Sequence, residues 1–266
     1  MLKQRIMTAL MIGLPLVAML LFMPLRMTAL LFAAFVLLGA WEWSALSGLK
    51  QQFLRVAYVV LVAIAMYALW RFLQAYPAHL PTMLQVTLLW WLLALLWLLL
   101  LPLRKSLLLT GGAGLLVLAP AWLCIVYLLM LGASWVLFLL LLVVSADVGG
   151  FLFGRRFGHT RLAPRVSPGK TWEGVLGGLV LSMGVAAIGT WKLAQPASDF
   201  MLLCLLTVLI SIVGDLTESL FKRHAGLKDS GSILPGHGGV LDRIDSVAAA
   251  APLFLYGLIH LGVMPA

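Results

Sequence analysis

Ser219-Leu-Phe-Lys-Arg-His-Ala-Gly-Leu-Lys-Asp-Ser-Gly-Ser-Ile-Leu-Pro-Gly-His-Gly-Gly-Val-Leu-Asp-Arg-Ile-Asp245 is a polar island in an apolar chain, and its flanks decide the fold. Apolar runs lead into it over 199–220 and out of it over 246–264. Each is close to the ~20 residues that a bilayer crossing needs. Moving outward, similar runs lie at 6–25, 27–46, 54–73, 83–101, 107–130, 134–153 and 171–191. The chain is 63% hydrophobic and 10% charged, whereas an ordinary soluble domain is about 25% charged. These runs predict an all-α, polytopic integral membrane protein with nine transmembrane helices. We expect a single membrane domain over residues 1–266. Residues 1–146 form mainly hydrophobic helices, and residues 147–266 form the half that carries the chemistry, with substantial loops at 154–170 and 221–245. No repeat period is evident.

The formal net charge of +9 invites a nucleic-acid reading, but its distribution argues for a membrane. With the N-terminus in the cytoplasm, the inner side collects Lys3, Arg5, Lys50, Arg55, Arg104, Lys105, Arg155, Arg156, Arg161, Arg165, Lys170, Lys222, Arg223, Lys228 and Arg243. The outer side keeps Arg26, Arg71 and Lys192. That asymmetry follows the positive-inside rule and places both large loops in the cytoplasm and the C-terminus outside. The weakest span is the glycine-rich one with Thr110-Gly-Gly-Ala-Gly114 and Pro120. Lys3 and Arg5 precede an apolar run as in a signal peptide. No small-residue cleavage pattern follows, so a retained first helix is expected. Cys124 and Cys204 lie inside separate apolar runs and read as packing residues, implying neither a disulfide framework nor a zinc site.

Of the nine carboxylates, only Glu42 precedes residue 147. Flanked by Trp41 and Trp43, it reads either as an interfacial carboxylate or as a group facing a site. The others gather where Lys, Arg, His and Gly gather, and ionisable groups in a membrane chain mark function. Ser211, Asp215, Glu218 and Ser219 share one helix face by spacing. The acids among them need an ion pair, an interhelical hydrogen bond or a metal. Asp242 and Asp245 meet on one face and suit a shared divalent cation, although a first-turn preference for acids competes as an explanation. Between these pairs, Lys222, Arg223, Lys228 and Asp229 alternate with glycines, a pattern suited to polyphosphate. Alone it would read as a topology signal.

Ser167-Pro-Gly-Lys170-Thr171-Trp-Glu173-Gly174 opens another span. Its Gly-Lys-Thr fails as a Walker A motif, because Pro164 stands where glycine is needed and no strand is expected before it. Lys170 at a helix start still suits an anion, and Glu173 reads equally as a helix cap. Asp147-Val-Gly-Gly-Phe-Leu-Phe-Gly-Arg155 adds a carboxylate and glycines that permit close helix packing. His159, His224 and His237 lack metal-ligand spacing, and only His237 falls in Pro235-Gly-His-Gly-Gly239.

The pattern Ser-x-x-Lys-Arg-x-x-x-x-Lys-Asp-x-Gly-x-x-x-Pro-Gly-His-Gly-Gly-x-x-Asp-Arg-x-Asp over 219–245 resembles the signature of phosphatidate cytidylyltransferases, also called CDP-diacylglycerol synthases. The stretches 167–174 and 147–155 resemble that family's other two recurring motifs, with Phe151 where Tyr is common. The resemblance covers about 147 to 250. It implies a homodimeric enzyme of the inner (cytoplasmic) membrane, with its active site facing the cytoplasm. This enzyme would make CDP-diacylglycerol and pyrophosphate from CTP and phosphatidic acid, using magnesium and a second, monovalent ion such as potassium. By matching position, Asp215, Asp242 and Asp245 are metal-associated and, with Lys222, Arg223 and Lys228, catalytic. Lys170, Ser167, Asp147, Asp229, His237, Gly238, Gly239 and Arg243 are substrate-binding. A transporter, a CDP-alcohol phosphotransferase and a membrane scaffold are the rivals. The second would carry Asp-Gly-x-x-Ala-Arg, which this chain lacks.

Overall fold

The computed structural model describes residues 13–100, 107–231 and 238–264. Among these it contains α1 (Gly13–Phe22), α2 (Leu25–Leu46), α3 (Gln52–Ala75), α4 (Leu80–Leu100), α5 (Leu107–Leu131), α6 (Ala133–Phe157), α7 (Trp172–Lys192), α8 (Ala197–Ala225) and α9 (Leu241–His260). Seven helices, α2 to α8, are long and apolar enough to cross a membrane. The chain is therefore a multi-pass membrane protein. The nine crossings expected from the sequence also require α1, with ten described residues, and α9, which opens with Asp242, Arg243 and Asp245.

The all-α expectation needs one correction. Strands β1 (Arg161–Ala163) and β2 (Ser167–Thr171) pair antiparallel, with Arg161 opposite Thr171 and Ala163 opposite Ser167. Pro164 sits at the second position of the turn between them, closed by Val166 N–H donating to Ala163 O at 3.1 Å. Proline favours that position because its φ is preset. Gly169-Lys170-Thr171 therefore lies within a strand. The strand passes directly into α7 without a phosphate-wrapping loop, so the Walker A comparison still fails.

Local chemistry sets the helix ends that matter. Thr171 caps α7, its Oγ1 accepting the Gly174 N–H at 3.1 Å. Glu173, read from sequence as a possible cap, accepts the Thr160 N–H at 3.0 Å and ties down the base of the hairpin. At its C-terminus α8 stops at Gly226, with φ of 72°. There Leu227 N–H reaches back to Lys222 O at 2.8 Å, a left-handed helix stop that glycine adopts without steric cost. The helix thus runs past the expected residue 220 and carries Lys222 and Arg223 on its last turns.

Two helix pairs, α6 with α7 and α8 with α9, pack most extensively. Small residues allow it. A methyl built at Gly178 would stand 2.6 Å from Ala146 O, and one at Gly214 would stand 2.7 Å from Asp245 O. The second approach brings Asp215 beside Asp245. The glycine-rich span α5 is the most buried of the candidate spans. Trp43 Nε1–H donates to its Thr110 O at 2.7 Å, and Tyr58 O–H to Gly111 O at 2.8 Å. Two cores result. One stacks Phe138 on Phe200 and Phe254, at 5.3 and 5.8 Å between centroids. The other surrounds Trp43 and Phe221, 5.5 Å apart. Ala248 and Ala249 join the second core, and Ala250 and Ala251 the first, so α9 runs between them.

Candidate active site

A cavity of about 490 Å³ opens between α6, α7, α8, α9 and β2. Asp147 reaches it from α6, Lys170 from β2, and Asp215 and Lys222 from α8. Asp229 lines it from the loop after α8, and Asp242, Arg243 and Asp245 from α9. Lys170 is in ion-pair contact with Asp215, both about a quarter exposed. Lys222 is buried, donating to Asp242 Oδ1 at 2.6 Å and pairing with Glu218 Oε1 at 3.2 Å. Such a charge-assisted pair compensates the desolvation that burial imposes. Glu218 is thus paired with Lys222 one turn along α8.

Asp242 organises the polar island. Its Oδ2 accepts the N–H of Ser230 at 3.1 Å and of Gly239 at 2.9 Å. One carboxylate therefore holds both described ends of the loop and sits at the start of α9, where the helix dipole favours an anion. Asp245 is buried one turn further in, accepting the Ser246 N–H at 2.7 Å.

Glu42 is the contributor that the sequence left ambiguous. It is 2% exposed. It accepts Ser230 Oγ–H at 3.0 Å, Val240 N–H at 3.1 Å and Leu241 N–H at 2.8 Å. It thereby satisfies N–H groups at the start of α9 that no helical carbonyl reaches. Gly231 and Gly239 leave the room it needs, since a methyl on Gly239 would stand 2.5 Å from Glu42 Oε2. Charge at Glu42 was the only sequence signal, because every partner is distant in the chain.

The other expected residues are placed as follows. Arg223 lies outside the cavity lining and donates from Nε to Val166 O at 3.1 Å, fastening the hairpin turn to α8. Lys228 is exposed beside Asp229, and Ser167 is half-buried in β2. Gly239 touches Asp242 through its N–H, and Gly238 adopts φ of 79° next to it. His237 lies outside the described residues, as do Lys3, Arg5, Arg104 and Lys105.

The model of the Cytidylyltransferase family matches residues 3–261. The chain belongs to the cytidylyltransferase family. It is 46% identical over 271 aligned positions to the phosphatidate cytidylyltransferase of Pseudomonas aeruginosa, covering 96% of each chain. The phosphatidate cytidylyltransferase of Haemophilus influenzae is 38% identical, over 96% of this chain and 98% of its own. That of Brucella suis is 47% identical over 48% of each chain.

In this cytidylyltransferase-family chain the cavity holds more acid than base. Asp147, Asp215, Asp229, Asp242 and Asp245 face Lys170, Lys222 and Arg243. Among the described residues no three His, Cys, Asp or Glu side chains form a ready-made metal cage. Magnesium rarely uses one. It typically binds one or two carboxylates, waters and substrate phosphates. An all-oxygen donor set with surplus negative charge fits such an ion.

Proposed function

We propose that this protein transfers CMP from CTP to phosphatidate, giving CDP-diacylglycerol and pyrophosphate for phospholipid synthesis. The reading is carried by the meeting of acids from α6, α8 and α9 with Lys170, Lys222 and Arg243 in one cavity among membrane helices. The 46% identity to a phosphatidate cytidylyltransferase over 96% of the chain supports it.

The lipid's phosphate oxygen attacks the α-phosphorus of CTP in line. A new oxygen–phosphorus bond forms as the bond to the β-phosphate oxygen breaks, and pyrophosphate leaves with the electron pair. The nucleophile is already an anion, so no strong general base is required. The barrier is dominated by bringing two polyanions together, and fixed positive charge lowers it. Lys170 and Lys222 supply that charge within the cavity, with Arg243 beside them. Arg223 and Lys228 extend the positive charge outside it. Their partners Asp215 and Asp242 hold the two lysines in place until phosphates compete for the same ammonium groups. Asp215, Asp242 and Asp245 would hold magnesium, which would supply further neutralisation of the phosphates. A second, monovalent ion such as potassium is part of the same proposal. Asp147, Asp229, Ser167 and the Gly238-Gly239 backbone are assigned to the substrate side.

Nine crossings, a cytoplasmic N-terminus, an inner-membrane location and a homodimer complete the reading. The first two rest on the apolar runs and the one-sided distribution of Lys and Arg, and the other two on the resemblance to the phosphatidate cytidylyltransferases. The site then faces CTP in the cytoplasm and a headgroup at the membrane surface. The test uses purified protein in detergent micelles with phosphatidate, magnesium and one labelled nucleoside triphosphate at a time. CTP should give a lipid-linked nucleotide and pyrophosphate in equal amounts. Transfer from no nucleotide would overturn the reading.

A further inference from the structure

We propose that an apolar groove beside the charged cavity receives an acyl chain of the reacting phosphatidate. This rests on the cytidylyltransferase reading and adds a lipid subsite to it. The groove has a volume of about 650 Å³, within the roughly 300–1,000 Å³ typical of small-ligand pockets. Leu95, Leu98 and Leu99 of α4 form one wall, and Leu209, Val213 and Leu216 of α8 another. The hairpin turn from Leu162 to Val166 borders a third side.

Two residues decide the occupant. Val175 of α7 and Ile212 of α8 line both the groove and the charged cavity. The two spaces therefore share a wall, aliphatic on one side and lined with acids and bases on the other. CTP has no use for the aliphatic side, because it has no apolar tail. Phosphatidate needs both sides, since its phosphate seeks Lys170 and Lys222 while its chains must stay out of water. Ile212 stands one turn before Asp215 on α8, so the switch from apolar to charged lining occurs within a single helical turn.

The hairpin joins the same two spaces. Lys170 on β2 contacts Asp215 in the cavity, while Ala163 and Val166 line the groove. Arg223 fixes the turn to α8 through Val166 O. Arg165 and Trp172 border the groove with exposed side chains. Arginine and tryptophan favour the boundary between headgroups and acyl chains, with an apolar body inward and a polar end in water. A headgroup in the cavity and a tail in the groove would thus be divided at the level where the bilayer itself divides them.

Leu98→Trp and Leu209→Trp narrow the groove without altering a residue of the charged cavity. For dioleoyl phosphatidate KM should rise about tenfold, while KM for CTP and for dibutanoyl phosphatidate stays within about twofold of wild type. Equal changes for both lipids, or none for either, would overturn the proposal. A second measurement uses the unaltered protein and phosphatidate carrying a photoreactive diazirine at the chain end. Crosslinks should map to α4 and α8 and be displaced by phosphatidate but not by phosphatidylcholine. Crosslinks elsewhere, or equal displacement by phosphatidylcholine, would make the groove a site for ordinary bilayer lipid and reject the assignment. Wild-type protein that yields no lipid-linked nucleotide from either phosphatidate would instead defeat the cytidylyltransferase reading, and the crosslinking would still decide the groove.

Discussion

Glu42 and Lys222 are single side chains on which several others depend. Glu42 satisfies two backbone N–H groups at the start of α9 and the Ser230 hydroxyl, and a buried donor left without an acceptor costs about 1–3 kcal/mol. Glu42→Ala should lower the detergent melting temperature, and Glu42→Gln, which keeps one acceptor oxygen, should fall between it and wild type. Unchanged melting in Glu42→Ala would contradict the anchoring role. Lys222 lies against Glu218 and Asp242 at once. Breaking a buried ion pair by removing one partner costs about 3–5 kcal/mol. Lys222→Met should therefore lose both stability and transfer activity, whereas exposed Lys228→Met should keep wild-type melting. Equal melting of Lys222→Met and wild type would count against the pairing. That Lys222, Asp242 and Asp245 would lie together was legible because charge is expensive in an apolar chain and must be gathered where it can be paired. The anchoring by Glu42 was not, since its partners are 188 to 199 positions away and no local pattern encodes that distance.

At the scale of elements, the site depends on how closely paired helices approach. α6 delivers Asp147, and its distance from α7 is set by glycines with no spare volume. Gly178→Val would drive side-chain atoms into the Ala146 carbonyl, and overpacking of this kind typically costs about 1–3 kcal/mol. Turnover should fall sharply in that variant. Gly184→Ala on the same helix, with nothing within 4 Å of the added methyl, should be indistinguishable from wild type by the same assay. Equal behaviour of the two would mean that close packing does not position the site. The helices were readable from hydrophobic runs, and the close packing from glycine spacing. The hairpin was hidden, because Pro164, Pro168 and Gly169 disfavour strands and the pairing is only a few residues long. The end of α8 was also misplaced. Lys222 and Arg223 look like loop residues until buried acids on neighbouring turns give them partners.

For the whole molecule, apolar content and one-sided basic charge predicted a multi-pass helical protein, and seven described helices have the length and composition to cross. Sidedness is a separate matter that labelling can decide. The native Cys124 and Cys204 are buried, so they give little background. A membrane-impermeant maleimide should modify Arg156→Cys and Leu227→Cys in inverted vesicles, and Ser198→Cys only in right-side-out vesicles. Modification of all three from one side would refute the arrangement of loops. Sequence could not reveal how the charged half and the apolar half share one body, because α9 runs between both cores while α2 supplies Glu42 from the other end of the chain. The central claim is that carboxylates from different helices act together in nucleotide transfer, and it is tested most directly by steady-state formation of labelled CDP-diacylglycerol. Wild type, Asp215→Asn and Asp242→Asn should be compared in identical micelles, with melting recorded for each. The account predicts that both variants remain folded, Asp242→Asn with a lowered melting temperature because it loses the charge paired with Lys222. Both should lose turnover by at least about a hundredfold, equivalent to about 2.7 kcal/mol of transition-state stabilisation. A folded Asp215→Asn or Asp242→Asn protein working at the wild-type rate would contradict it.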